Sequence, residues 1–187
     1  MSTAETAPAR RVAALAGAWC CIALAAPPQA PQLGRPASGE LIATWNLSVY
    51  PDGRGLPPGQ GTASQGRSIY RARCASCHGV DGEGGSGGNL AGRGSLKDAD
   101  PDQTVGNYWP YATTLFDFVR RAMPMDAPAT LSSDEIYAVS AYLLYLNQIV
   151  GLDDRLDAQS LPRIRMPNRD GFIGIDADLP SRQIGPR

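Results

Sequence analysis

Two cysteines, two residues apart and followed at once by a histidine, restrict this 187-residue chain more than any other pattern in it. They form the run Cys74-Ala75-Ser76-Cys77-His78, and His78 is the only histidine of the chain. Residues three apart lie on the same side of a helical turn, so the two thiols face one way and the imidazole follows them. The fold has to present all three side chains to a single group.

This spacing is the attachment signature of c-type haem. Two thiols on one turn can form thioethers with the vinyl groups of a porphyrin, and the next residue can offer its imidazole to the iron. A structural zinc site would need a fourth ligand, usually from a second cysteine pair. A thioredoxin-like redox pair would need a strand–helix–strand context, which does not surround this motif. We therefore predict one covalently attached haem c on Cys74 and Cys77, with His78 as an iron ligand.

The second axial position of such a haem is either open, which favours binding of small molecules, or filled by methionine, which favours electron transfer. Three methionines follow the motif, and each has an alternative interpretation as core filler. Met123 and Met125 flank Pro124 after a predicted helix, whereas Met166 lies in a polar, proline-bearing tail. We predict Met123 as the sixth ligand, with Met125 second and Met166 third.

The first 25 residues have the three-part layout of a secretory signal peptide. A polar start ends in two arginines, an apolar stretch covers residues 12–26, and Ala23-Leu24-Ala25 offers small residues for cleavage. Cleavage would remove the two other cysteines of the chain and leave a periplasmic product without a stable membrane span. An uncleaved anchor is the alternative, and the paired arginines leave Sec and twin-arginine export both open.

Three helices are predicted around the motif, which makes the fold mainly α. They run from Thr62 to about His78, from a cap at Thr113-Thr114 to Arg121, and from a Ser132–Glu135 capping box to about Leu146. Gly66 in the first of them allows close approach by another helix, and the porphyrin itself would supply much of the core.

A glycine-rich loop covers residues 79–94, directly after the motif. It is either a flexible connector or a wrap around the haem edge, in which a backbone carbonyl accepts the second imidazole proton of His78. A phosphate cradle is disfavoured, because no Gly-Lys-Ser/Thr follows the glycines.

The two ends extend beyond this minimal unit. Residues 41–49 alternate strictly, with apolar odd positions, and predict a short strand that has to pair within the chain or against a partner. The tail from residue 148 shows no clear hydrophobic period. It is predicted to be an extended arm that either packs back on the domain or docks to a partner. The predicted division is a signal peptide at 1–25, an extended N-terminal arm with a short strand at 26–60, a haem domain at 61–150 and an extended C-terminal arm at 151–187.

Charge and composition exclude some classes of function. The formal net charge is -1, which argues against a nucleic-acid partner. Lys97 is the only lysine, which disfavours a free carrier that steers by a lysine-rich patch. No acid–base or nucleophile constellation is visible, so we predict a non-catalytic protein.

Several runs resemble class I cytochromes c and, more specifically, the haem c subunit of bacterial periplasmic sulfite and sulfane dehydrogenases. Besides the cysteine–histidine motif, they are residues 45–53, Gly55-Leu56-Pro57-Pro58-Gly59, residues 108–114, Arg121-Ala122-Met123-Pro124, Ala141-Tyr142-Leu143 and residues 166–172. The resemblance extends over residues 41–172 and implies a class I cytochrome c fold with extended N- and C-terminal arms.

The resemblance also implies a partner and a role. The family partner is a molybdenum-containing dehydrogenase subunit that oxidises sulfite or protein-bound sulfane sulfur, and single electrons pass through the haem to a downstream cytochrome. His78 and Met123 match the axial ligands, Trp109 and Tyr111 would lie near the haem propionates, and both arms would grip the larger subunit. The alternatives are a free periplasmic electron carrier and an open-site haem sensor or enzyme.

Overall fold

The computed structural model describes residues 33–92 and 94–172, and the predicted signal peptide lies outside them. Within these ranges the fold is mainly helical, as predicted. The helices are α1 (Gly39–Trp45), α2 (Ala63–Arg73), α3 (Ala75–His78), α4 (Ala112–Ala122) and α5 (Ser133–Leu146). Two short strands, β1 (Gln60–Thr62) and β2 (Arg155–Asp157), and a 3₁₀ turn at Leu161–Arg163 complete the set. No helix of the described part is long and apolar enough to cross a bilayer.

Two helices begin at capping boxes. Thr62 accepts the Gln65 amide proton and donates its own to the Gln65 side chain, and Ser132 and Glu135 repeat this exchange at α5. Each box satisfies two backbone donors that the helix leaves unpaired. Both predicted starts are confirmed.

The central contact of the fold is the crossing of α2 and α5. A Cβ added to the buried Gly66 would stand 2.9 Å from the Cβ of Tyr142 and closer still to the backbone of Ala138. The rings of Tyr70 and Tyr142 meet nearby, with centroids 5.2 Å apart. The predicted close helix approach at Gly66 is therefore confirmed.

Two predicted helix boundaries need correction. The helix expected to run from Thr62 to His78 is interrupted at Cys74, which ends α2 and begins α3. The cap predicted at Thr113-Thr114 is also wrong: α4 starts at Ala112 with Tyr111 as its N-cap. Thr113 lies inside the first turn and is buried, so its hydroxyl faces the core rather than the free backbone amides.

The predicted strand at 41–49 is wrong, because α1 occupies most of it. Ser38 caps this helix by accepting the Leu41 amide proton at 3.1 Å. The apolar residues that alternate along the chain also share a helical spacing: Leu41 and Trp45 are four apart, and Ile42 adjoins them. None of the residues of α1 is buried.

The tail after α5 packs back on the helices. β2 pairs antiparallel with β1, Gly61 facing Leu156. Leu156, Leu161 and Met166 are buried in the hydrophobic core cluster. Of the arm predicted for 151–187, the part up to Met166 thus contributes to the core.

Candidate haem-attachment site

Cys74 and Cys77 lie at opposite ends of one turn. Cys74 is half-buried and packs against the core cluster, whereas Cys77 is exposed. Burial, opposed by neighbouring Arg73, raises the pKa of the Cys74 thiol to about 11. One sulfur therefore faces an apolar border and the other the open side of the turn.

The imidazole of His78 is oriented by the glycine-rich loop. Its Nδ1 lies 2.8 Å from the carbonyl oxygen of Gly88. Because a carbonyl can only accept, Nδ1 carries the proton and Nε2 keeps its lone pair for another partner. The predicted hydrogen bond between the imidazole and a carbonyl of the loop is confirmed, and the carbonyl belongs to Gly88.

The loop folds tightly around the motif through backbone hydrogen bonds. The Gly84 amide donates to the His78 carbonyl at 2.9 Å, and the Gly87 amide donates to the Cys77 carbonyl at 2.8 Å. A Cβ on Gly87 would stand 2.7 Å from Cε1 and 2.8 Å from Nδ1 of His78, closer than real contacts allow. Gly87 thus lets the backbone lie against the ring.

A buried asparagine, which the sequence analysis missed, anchors the far end of this loop to α5. Asn147 donates to the carbonyls of Leu90 at 3.0 Å and Leu143 at 2.8 Å, and accepts the Gly92 amide proton at 3.0 Å. Thr104 holds the same segment by donating to the Gly92 carbonyl at 2.6 Å. A capping position at the end of a helix was the available signal, but its loop partners lie 55 and 57 residues away.

Tyr70 joins α2 to the same loop from the other side. Its hydroxyl donates to the Gly79 carbonyl at 2.9 Å. Burial raises the pKa of this phenol well above its usual value, so the hydroxyl stays a donor throughout the neutral range. The residue following His78 is thereby fixed to the helix that precedes Cys74.

The three methionine candidates differ in their surroundings. Met123 is the C-cap of α4 and packs, half-buried, against the core cluster. Met125 is 81% exposed, whereas Met166 is 1% exposed and belongs to the core itself. Met123, the methionine that we predict as the sixth ligand, therefore lies at the border of the core, where Cys74 also lies.

The two aromatic site candidates lie before and at the start of α4. Trp109 is half-buried at the core border and meets the ring of Phe118 edge-on, with centroids 5.7 Å apart. Tyr111 forms an isolated bridge with Arg165, and the guanidinium of Arg169 lies 4.5 Å from its ring centroid. The C-terminal segment thus covers Tyr111.

These residues fit a covalently held haem. Two free thiols flank a turn, an imidazole presents Nε2 with Nδ1 already occupied, and Cys74, Trp109 and Met123 border one apolar cluster. Bound haem takes one soft or imidazole ligand on each side and needs an apolar surround. The fold and the site define the class of c-type cytochromes.

Comparison with known proteins supports this class. Residues 61–143 match the family model described as cytochrome c oxidase, cbb3-type, subunit III. A chain of the crystal structure of the sulfane dehydrogenase SoxCD from Paracoccus pantotrophus is 44% identical, with a TM-score of 0.74, over 80% of this chain and 74% of that one. A thiosulfate dehydrogenase of Allochromatium vinosum is 27% identical over 123 residues, 60% of this chain. This chain spans 38% of the length of that curated relative.

The protein therefore belongs to the class I c-type cytochromes and is related to the haem c subunit of bacterial sulfane dehydrogenase. Members of this family carry haem c attached through the cysteines of the motif, and Cys74 and Cys77 are positioned for that attachment.

Proposed function

We propose that this protein is the electron-transfer subunit of a periplasmic molybdenum dehydrogenase that oxidises sulfite or protein-bound sulfane sulfur. It takes single electrons from the molybdenum subunit and passes them to a downstream cytochrome. The protein is itself non-catalytic, and its predicted signal peptide at 1–25 directs it to the periplasm.

Each site residue has a defined task in this proposal. Cys74 and Cys77 would hold the porphyrin by thioethers, and His78 and Met123 would ligate the iron. Trp109 and Tyr111 would lie near the propionates. Bound haem with histidine and methionine ligands supplies reversible one-electron chemistry at a raised potential. The Gly88 carbonyl keeps the His78 ring in one tautomer and one orientation, which favours a constant ligand field in both oxidation states.

One observation carries the assignment to a complex. The 44% identity with the SoxCD chain extends over 80% of this chain, well beyond the matched cytochrome segment at 61–143. A free electron carrier would need to resemble the SoxCD chain only across its haem domain. Because the similarity also covers segments outside residues 61–143, it favours a role in a similar complex.

The surface of α1 supports a protein partner. Trp45 is 81% exposed, and Leu41 and Ile42 are each more than half exposed beside it. Together with Ala37 and Asn46 they line an apolar groove. Contiguous apolar surface of this kind is characteristic of protein interfaces. We assign this groove to the molybdenum subunit.

The test is reconstitution. The full chain is produced in cells competent for cytochrome maturation, with and without a molybdenum-containing sulfane dehydrogenase subunit. We expect a stable complex in which sulfite or a sulfane donor reduces the haem, seen in its visible absorbance. A chain that remains monomeric beside that subunit would indicate a free carrier, and carbon monoxide binding to the reduced protein would indicate an open-site haem.

A surface variant makes the test sharper. Trp45→Asp should weaken the complex by about tenfold or more, because buried tryptophans are typical hot spots, while its haem spectrum stays unchanged. Leu96→Asp, at another partly exposed leucine, is the matched control and should assemble normally.

A further inference from the structure

The loop after α1 is held against the last turns of α4, and we call residues 47–56 the clasp. The amide of Val49 donates to Asp117 Oδ1 at 2.9 Å. Arg120 Nη1 donates to the carbonyls of Leu47 at 3.1 Å and Gly55 at 3.4 Å. Two side chains of one helical turn thus fix a segment about 70 residues away in sequence.

Asp117 is the central group of this contact. It is 8% exposed, and its second carboxylate oxygen accepts from Arg121. A buried carboxylate is tolerated only where its charge is paired and its lone pairs are hydrogen-bonded. Here the amide of Val49 supplies the hydrogen bond and the guanidinium of Arg121 supplies the opposite charge. Asp117 therefore joins the clasp to α4.

The same turn of α4 ends at Met123. The amide of Met123 donates to the Val119 carbonyl at 3.1 Å, which makes Met123 the cap of the turn that contains Arg120 and Arg121. A shift of this turn therefore moves the backbone that carries the Met123 thioether. Asp117 lies six residues before Met123, and its hydrogen bonds go to Val49 and Arg121.

We propose that Asp117 is a positioning residue for Met123: by tying the clasp to α4, it holds the thioether in place as the sixth iron ligand. This inference rests on the proposed function, which assigns Met123 to the iron. It adds that the clasp, through Asp117, determines how firmly the Met123 thioether binds the iron.

The expected consequence is a change in the population of methionine-free iron. An added ligand such as imidazole binds the ferric protein only when the sixth position is vacant, so its apparent affinity rises with the vacant fraction. Hydrogen bonds to charged groups are strong enough that losing one can change such a population by about tenfold. A purely structural residue would lower stability without affecting this competition.

The experiment compares Asp117→Asn with a matched control in the same holoprotein. Asp134 also accepts a backbone amide proton, from Gln60 of β1 at 2.7 Å, but it belongs to α5 and not to the helix that carries Met123. Asp117→Asn should bind imidazole about tenfold more tightly than wild type and show a weaker near-infrared iron–thioether band. Asp134→Asn should match wild type in both readouts.

Two further variants keep the outcome decisive. If Asp117→Asn yields no holoprotein, Arg120→Met, which removes the donors to Leu47 and Gly55, should give the same shift in imidazole affinity. Wild-type affinity in Arg120→Met and in any folded Asp117→Asn would overturn the inference. Met123→Ala separates it from the proposed function: if that variant keeps the near-infrared band, the ligand assignment itself fails.

Discussion

The Nδ1 of His78 lies 2.8 Å from the carbonyl oxygen of Gly88, ten residues along the chain. The intervening loop doubles back on the motif through backbone hydrogen bonds from Gly84 and Gly87. The orientation of the imidazole therefore depends on the path of a glycine-rich loop rather than on a neighbouring side chain.

This geometry predicts unequal effects of substitution at two adjacent glycines. In Gly87→Ala the new Cβ would lie 2.7 Å from Cε1 of His78, so the ring or the loop has to move. We expect a loss of about 1–3 kcal/mol in the unfolding free energy of the holoprotein, with a shifted haem spectrum. Gly88→Ala, where a Cβ meets nothing within 4 Å, is the control and should leave both unchanged. Equal effects at the two positions would contradict this account.

The anchor at Asn147 gives a second prediction. Asn147→Ala removes three hydrogen bonds and leaves the half-buried amide of Gly92 without its acceptor. We expect it to destabilise the protein by about 2–4 kcal/mol, measured by denaturant unfolding. The control is Asn89→Ala, which loses a single, solvent-exposed hydrogen bond to Asp102 and should cost under about 1 kcal/mol. A mild Asn147→Ala variant would show that the loop does not depend on this anchor.

Local signals in the sequence predicted α2, α4 and α5, although not all of their boundaries, whereas α1 and the pairings between distant segments were missed. The boxes at Thr62 and Ser132 place two helix starts within a residue, because each exchange spans only three positions. The pairing of Gly61 with Leu156 joins three-residue strands 95 positions apart, which leave no period to detect. At residues 41–49 an apolar alternation coincided with helical spacing, and a capping serine at 38 favoured the helix.

The candidate site was also predicted only in part, and again the local features were the ones that could be predicted. The motif predicts the attachment residues by itself, since all of its members lie on one turn. The loop carbonyl was predicted as a type of contact, but Gly88 could not be singled out, because a backbone acceptor leaves no trace in a side chain. Asp117 looked like an ordinary helix residue, and only the fold brings Val49 to it.

The crossing of α2 and α5 gives a third prediction. Gly66→Ala would place a methyl group against the backbone of Ala138 and the Cβ of Tyr142. Although alanine favours helix by about 1 kcal/mol, the clash should dominate and lower the thermal midpoint by several degrees, roughly 4 °C or more. Gly39→Ala in α1, where a Cβ meets open space, should not lower it. A Gly66→Ala variant as stable as wild type would mean that the helices can separate at no cost.

The capping box of α5 predicts a pH dependence. Hydrogen bonds from the Ser132 backbone and hydroxyl lower the pKa of Glu135. A carboxyl whose pKa is depressed by folding stabilises the protein above its ordinary pKa, and that contribution is lost as the pH falls through the folded-state value. Ser132→Ala should therefore cost about 1 kcal/mol at pH 7, and the difference from wild type should shrink in acid. Unfolding curves at pH 7 and at a pH below the ordinary pKa of a glutamate measure the free-energy difference between Ser132→Ala and wild type, with Ser133→Ala as the control. A difference that stays constant with pH would rule out the Glu135 carboxylate as the source of the effect.

The ladder between β1 and β2 has a consequence for how this module can be used. Because Gln60 faces Asp157, the segments that lead into α2 and away from α5 lie side by side. Residues on both sides of the ladder also pack on the helices, so the compact unit continues past it in both directions. Domain boundaries lie where few contacts cross the chain, so a fusion to another redox protein would have to be made outside residues 47–166 rather than at the two strands.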